Sequence, residues 1–237
     1  MDFSRFKLIT FDCYGTLIDW ETGMFGALRP ILAAHRKQVT DFELLQLYSE
    51  FEADAESGAF MSYRDVLEQV VRGFGQRLGF QPTEEQIRSL PDSLVNWPAF
   101  PDTAAALRRL KSKYRLAIMS NVDDDLFAYT RPKLGVEFDA IITAQQAQAY
   151  KPSRKMFELA QKRIGVDRCE WLHVGQSLYH DVAPAQSLAI ATVWVDRPSP
   201  RPGGAAKTAD VRPDLEVTSM AALAEMAAPT SKLRSSA

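Results

Sequence analysis

Apolar positions along this chain follow two alternating rhythms. Short, largely apolar runs at 7–12 (KLITFD), 115–119 (RLAIM), 140–143 (AIIT), 171–174 (WLHV) and 192–195 (TVWV) are separated by stretches whose apolar residues recur at helical spacing. Runs of this kind read as buried strands, and strands that alternate with helices predict an α/β fold with a parallel, doubly wound sheet. Ligands of such sheets bind just outside the carboxyl ends of the strands. That rule singles out Asp12 to Thr16, Ser120-Asn121, the segment leading to Lys151, and Gly175 to Asp181.

The interval between the first two strands is far longer than the others. Over residues 20–98 the segments FELLQLYSEFEADAE and YRDVLEQVVRGFGQRLG carry helical periodicity and no convincing strand intervenes, so this stretch predicts an inserted helical cap domain. The core domain is then 1–19 joined to 99–237. The chain returns to it through WPAFPD at 97–102, where Asp102 is placed to N-cap the helix TAAALRRLKSKY. Beyond about residue 200, Pro, Gly, Ala and Ser dominate and predict loose chain, apart from one short helix near 218–226.

Composition narrows the functional class. With 237 residues, 46% hydrophobic, 24% charged and a formal net charge of −2, the chain is an ordinary globular protein with nothing to attract nucleic acid. No apolar run approaches the roughly 18 residues that span a bilayer, and MDFSRFKLITFD lacks a secretory layout, so a cytoplasmic protein without a membrane partner is expected. Cys13 and Cys169 are too few for a disulfide framework or a paired-cysteine zinc site. Asp123-Asp124-Asp125 is more simply a helix N-terminus than a metal cluster, because consecutive acids point in different directions. His35 and His173 read as structural, and Trp20, Phe60 and Trp97 as core or pocket wall.

FDCYGTLID at 11–19, SN at 120–121, YKPS at 150–153 and VGQSLYHD at 174–181 together resemble the four ordered motifs of the haloacid dehalogenase superfamily. The resemblance implies a Rossmann-like core, a helical cap that closes over the site, and Asp12 as a covalent nucleophile. Phosphatases of that superfamily carry a second acid two residues after the nucleophile to protonate the leaving oxygen; here that residue is Tyr14. Their fourth motif begins Gly-Asp and holds magnesium; here Gly175 is followed by Gln176, a neutral amide and a poor ligand for a hard cation. Both losses are consistent with halide as the leaving group, since halide departs without a proton and its displacement needs no divalent cation.

The subset with tyrosine at this position resembles the 2-haloacid dehalogenases, and its roles carry over as expectations. The substrate is a short, anionic 2-haloacid, the co-reactant is water, and no cofactor or metal is required. Asp12 displaces the halide and Lys151 keeps its carboxylate ionised. Asp181, at the motif position, or its neighbour His180, whose ordinary range suits proton transfer near neutrality, activates water. Cys13, Tyr14, Thr16, Ser120, Asn121 and Ser177 line the substrate site. The family's cap arginine for the departing halide has no clear counterpart. Residues 20–100 hold twelve acids against seven arginines and lysines, so a locally placed cation is needed, with Arg29 as the first choice and Arg64 as the second. A homodimer through the cap or a neighbouring face is a further expectation. A magnesium-dependent phosphatase acting on a small phosphoester and a non-catalytic binding protein stand as alternatives.

Overall fold

The computed structural model describes residues 1–199 and 209–229. Six parallel strands form one sheet: β1 (Leu8–Phe11), β2 (Arg115–Ser120), β3 (Ala140–Thr143), β4 (Trp171–Gly175), β5 (Ala191–Val195) and β6 (Leu215–Val217), in the order β3-β2-β1-β4-β5-β6. β1 is central and every one of its residues is buried, as expected of a strand covered on both faces. Leu8 packs with Ala117, Met119 and Phe157 on one face, whereas Ile9 and Phe11 join Leu116, Ile118 and Val174 on the other.

The strand order reverses at β1, which pairs with β2 on one side and β4 on the other. Phe11 stands opposite both Ile118 and Val174. The residues just beyond these three strands, Asp12, Ser120-Asn121 and Gly175 onward, therefore meet at one edge, the crevice where open α/β sheets hold ligands.

Four α-helices occupy the stretch 20–98 that follows β1: α1 (Trp20–Ala34), α2 (Asp41–Glu56), α3 (Tyr63–Leu78) and α4 (Glu84–Asp92). Their starts are locally encoded. Thr40 and Thr83 make reciprocal capping boxes with Glu43 and Gln86, and the Ser62 side chain caps α3. α3 buries Tyr63, Val66, Leu67, Val70, Val71 and Phe74, a stripe at helical spacing that joins the same core as Ile9 and Phe11. Truncating Phe74 to alanine there would cost about 3–5 kcal/mol.

The remaining helices are α5 (Thr103–Lys111), α6 (Asp124–Leu134), the single turn α7 (Ala144–Ala147), α8 (Arg154–Ile164), α9 (Ala183–Ser187) and α10 (Met220–Ala227). α10 matches the short helix expected near 218–226. β6 was not expected: the tail after 200 read as loose, yet Leu215–Val217 pairs with β5 through Val193, Trp194 and Val195. The rest of that tail, 200–208 and 230–237, lies outside the described residues. Asp102 precedes α5 but its side chain does not cap it; the carboxylate pairs with Arg197 at 2.9 Å and accepts from the Ala221 amide at 3.0 Å. The Asp123 carboxylate likewise serves a different helix from the one it precedes. It accepts the amides of Tyr63 at 3.0 Å and Arg64 at 2.9 Å, so a residue next to the β2 loop caps the first turn of α3. Among the described residues no helix is long and apolar enough to cross a membrane.

Candidate active site

Asp12 follows directly on β1, its amide bonded to the Val174 carbonyl at 2.9 Å. Gly15, at φ 96°, turns the chain back in a conformation that side-chain-bearing residues rarely adopt, and a Cβ there would press on Gln176 Oε1 at 3.2 Å. The turn brings the Thr16 hydroxyl onto Asp12 Oδ2 at 2.7 Å. Thr16 Oγ1 in turn accepts the Gln176 amide at 2.9 Å, which ties the first motif to the fourth. Thr16 thus holds the nucleophile candidate and does not itself line the cavity.

Lys151 is buried and reaches three oxygens: Asp12 Oδ1 at 2.8 Å, Asp181 Oδ1 at 2.6 Å and the Met119 carbonyl at 3.0 Å. Burial by itself would lower its pKa, but the two carboxylates outweigh burial and hold the ammonium above its usual range. Burial raises Asp12 above the ordinary carboxylate value, with Asp181 adding to the rise and Lys151 only partly opposing it. For Asp181 burial is overcome by Lys151 and His173, and its pKa is held well below that value. Asn121 fixes the Lys151 backbone from both sides, its Oδ1 accepting the Lys151 amide at 2.7 Å and its Nδ2 donating to the carbonyl at 3.2 Å.

The helical turn that delivers Asp181 is wide. The Asp181 and Val182 amides both bond the Ser177 carbonyl, at 3.0 and 3.2 Å, so Leu178–Val182 forms a π-helical turn with one residue more than an α-turn holds. Asp181 Oδ2 also accepts the Ser177 amide at 3.2 Å. Behind Asp181 runs a buried relay that the sequence reading passed over. The Trp171 indole donates to Thr10 Oγ1 at 2.7 Å, Thr10 Oγ1 meets His173 Nδ1 at 2.8 Å, and His173 Nε2 meets Asp181 Oδ1 at 3.2 Å. An ionised carboxylate only accepts, so His173 presents an N–H at Nε2 to Asp181, while Thr10 Oγ1, which accepts from the indole, sits against Nδ1. His173 therefore serves as a positioning residue for Asp181 as well as a core residue.

With this geometry in place, the chain can be set beside known proteins. A model for haloacid dehalogenase-like hydrolases matches residues 6–188. The chain belongs to this family. It is 26% identical over 230 residues to an (S)-2-haloacid dehalogenase of Pseudomonas sp. (strain YL), covering 93% of this chain and 94% of that one. Its fold is shared with the L-2-haloacid dehalogenase of Xanthobacter autotrophicus with chloropropionic acid covalently bound (TM-score 0.77, 20% identity, 93% and 98% of the two chains). It is shared almost equally with the HAD-hydrolase YfnB of Bacillus subtilis bound to magnesium (TM-score 0.76, 16% identity, 94% and 99%). Fold alone therefore does not decide whether this chain holds a metal ion.

The donor set does discriminate. A hard cation in this fold would draw on Asp12 and on the fourth motif, but Gln176 stands where an acid is needed and the Asp12 and Asp181 oxygens already receive the Lys151 ammonium. The residues do not fit a magnesium site. Tyr14 does not replace the missing acid either: its hydroxyl bonds Thr130 Oγ1 at 2.9 Å and burial pushes its pKa up.

A cavity of about 550 Å³ opens over Asp12. Of the residues expected in the site, Asp12, Tyr14, Ser120, Asn121, Lys151, Ser177, His180 and Asp181 line it. Ser120 is fully buried and its Oγ has no hydrogen-bond partner, the one such buried side-chain atom among the described residues. Cys13 is buried and does not line the cavity. The two cap arginines are not brought to it. Arg29 turns to the Val39 carbonyl at 2.6 Å and to Asp41, while Arg64 bridges Asp92 at 3.0 Å and Asp125 at 2.9 Å. Their acids drew both guanidiniums to the surface, and no arginine lines the cavity among the described residues. Glu52, Tyr48 and Tyr63 of the inserted helices do line it, and nothing local in the sequence marks them.

Proposed function

We propose that this hydrolase cleaves the carbon–halogen bond of a 2-haloacid through an ester on Asp12, without a metal. The observation that carries this reading is the Asp12–Lys151 pair in a site where Tyr14 and Gln176 replace the two acids of a phosphatase. An Asp12 oxygen forms a bond to C2 of the substrate as the carbon–halogen pair leaves with the halide. Water then adds to Asp12 Cγ while a base takes its proton; the Cγ–O bond to the substrate breaks, the base returns the proton to that oxygen, and the 2-hydroxy acid departs with the original aspartate oxygen. Asp181, already bound to three donors, is the weaker proton acceptor, so His180 on the cavity wall is assigned that proton. Ser120 Oγ, buried and unpartnered, is assigned to the substrate carboxylate. With both arginines turned outward, the amides of Asn121 and Gln176 and the Lys155 ammonium remain as positive ends for the halide. The insertion 20–98 acts as the cap.

The test is single-turnover hydrolysis of 2-chloropropionate in heavy-oxygen water with EDTA present, followed by mass spectrometry of the peptide containing residues 7–15. Chloride release with label entering Asp12 is expected. Solvent oxygen appearing in the product with Asp12 unlabelled, or phosphate release that requires magnesium, refutes the reading.

A further inference from the structure

The cavity is larger and more acidic than a short haloacid explains. A six-heavy-atom substrate such as 2-chloropropionate fills at most about 180 Å³ at the volume of liquid water per heavy atom, about a third of the space available. The wall carries four carboxylates, Asp12, Glu52, Glu56 and Asp181, against two ammoniums, Lys151 and Lys155. Lys151 is already shared between Asp12 and Asp181 and does not pair with Glu52.

Glu52 is built into that wall. Tyr63 donates to its Oε1 at 2.8 Å and Tyr48 to the same oxygen at 3.0 Å, so Oε2 receives neither hydroxyl. Among the described residues no lysine, arginine or histidine forms an ion pair with it. Aromatic rings continue the wall on both sides: Trp20 lies 5.2 Å from Tyr48, and Tyr150 lies 6.3 Å from Tyr63 and 5.3 Å from Phe60. Glu52 is half-buried, so its carboxylate is partly desolvated with no cation beside it, and aromatic faces attract one. The unpartnered Ser120 hydroxyl lines the same cavity at its reacting end, so a ligand held there by its carboxylate has the Glu52 wall ahead of it.

We propose that Glu52 with Trp20, Tyr48 and Tyr63 forms a subsite for a positively charged nitrogen, so that the substrate carries an ammonium group distal to its reacting carbon. This assignment rests on the reading of Asp12 as the reacting end. Desolvation raises the Glu52 pKa and the two tyrosine hydroxyls only partly offset it; a bound ammonium supplies the charge that keeps the carboxylate ionised.

The test compares two probes of one shape, choline and its neutral carbon isostere 3,3-dimethylbutan-1-ol, by calorimetric titration of the full chain. Choline is expected to bind saturably and about tenfold more tightly than the alcohol, a preference that Glu52→Gln abolishes and Trp20→Leu reduces. Circular dichroism of each variant establishes that it is folded, and Asp12→Asn, which keeps the wall intact, retains the preference. Equal binding of the two probes, no saturable binding of choline, or a preference unchanged in folded Glu52→Gln overturns the subsite. Because none of these readouts involves turnover, the labelling of Asp12 can succeed while this proposal fails, and the reverse.

Discussion

Gly175 sets the position of Asp181, and adding one carbon there tests the whole cluster. A Cβ on residue 175 would stand 2.4 Å from Asp181 Cγ and 2.5 Å from its Cβ and Oδ2. Unbonded carbons rest about 3.5–4.0 Å apart, so Gly175→Ala forces Asp181 to retreat by about 1 Å. At that displacement the bond to Lys151, 2.6 Å in the native chain, is stretched beyond hydrogen-bonding length, and Lys151 is left to Asp12 and the Met119 carbonyl. A misplacement of about 1 Å in a group that positions Lys151 beside the nucleophile costs about 100-fold in rate, and overpacking costs about 1–3 kcal/mol of stability. For a chain of this size that lowers Tm by roughly 2–12 °C. Halide release under saturating 2-chloropropionate and a thermal melt read both effects. Gly26→Ala is the control: nothing lies within 4 Å of the added Cβ, and in the interior of α1 alanine is the better helix former by about 1 kcal/mol. If Gly175→Ala turns over within twofold of the native rate, Asp181 is not held where the mechanism needs it.

Lys151→Met leaves two buried carboxylates without their ammonium and is expected to cost about 3–5 kcal/mol near pH 8, less near pH 5 as the carboxylates take up protons; urea unfolding at both values measures the difference. Because Asp12 must be ionised to attack and its pKa is raised, the acid limb of kcat/KM is expected above 3.8, and a limb below that value contradicts the assignment. Asp181 is shifted the other way: with its folded pKa lowered, it contributes stability above 3.8 that is lost as pH falls through the folded value, so Asp181→Asn is expected to flatten the acid side of the stability profile. Arg64→Ala removes bridges to half-exposed acids and is expected to cost under about 1 kcal/mol while leaving turnover unchanged; a large loss of turnover would return Arg64 to the site.

The strands and the four motifs were legible because both are local. β1 to β5 are apolar runs, and three of the four motifs sit where a strand stops, the third following β3 after the single turn α7. β6 was missed because three residues with Glu216 in the middle carry no apolar run; only pairing with β5 defines the strand. Arg29 and Arg64 were chosen for charge and proximity in sequence, whereas the direction of a long side chain is decided by its partners, here Asp41, Asp92 and Asp125. His173 looked like packing because its role comes from register: β4 places it opposite Thr10, and the chain through Trp171 and Asp181 follows. Glu52 was invisible for a related reason, since Tyr48 is four residues away but Tyr63 and the cavity arrive only when α2 and α3 come together.

The Asp123 carboxylate on the amides of Tyr63 and Arg64 mechanically links the two ends of the cavity. Ser120 lies three residues before that anchor and Tyr63 is the first residue of the helix it grips, so only a few covalent bonds and two hydrogen bonds separate the reacting end from the aromatic wall. Binding at the two ends is therefore expected to be cooperative, and Asp123→Ala, which removes the cap on Tyr63, is expected to weaken that coupling.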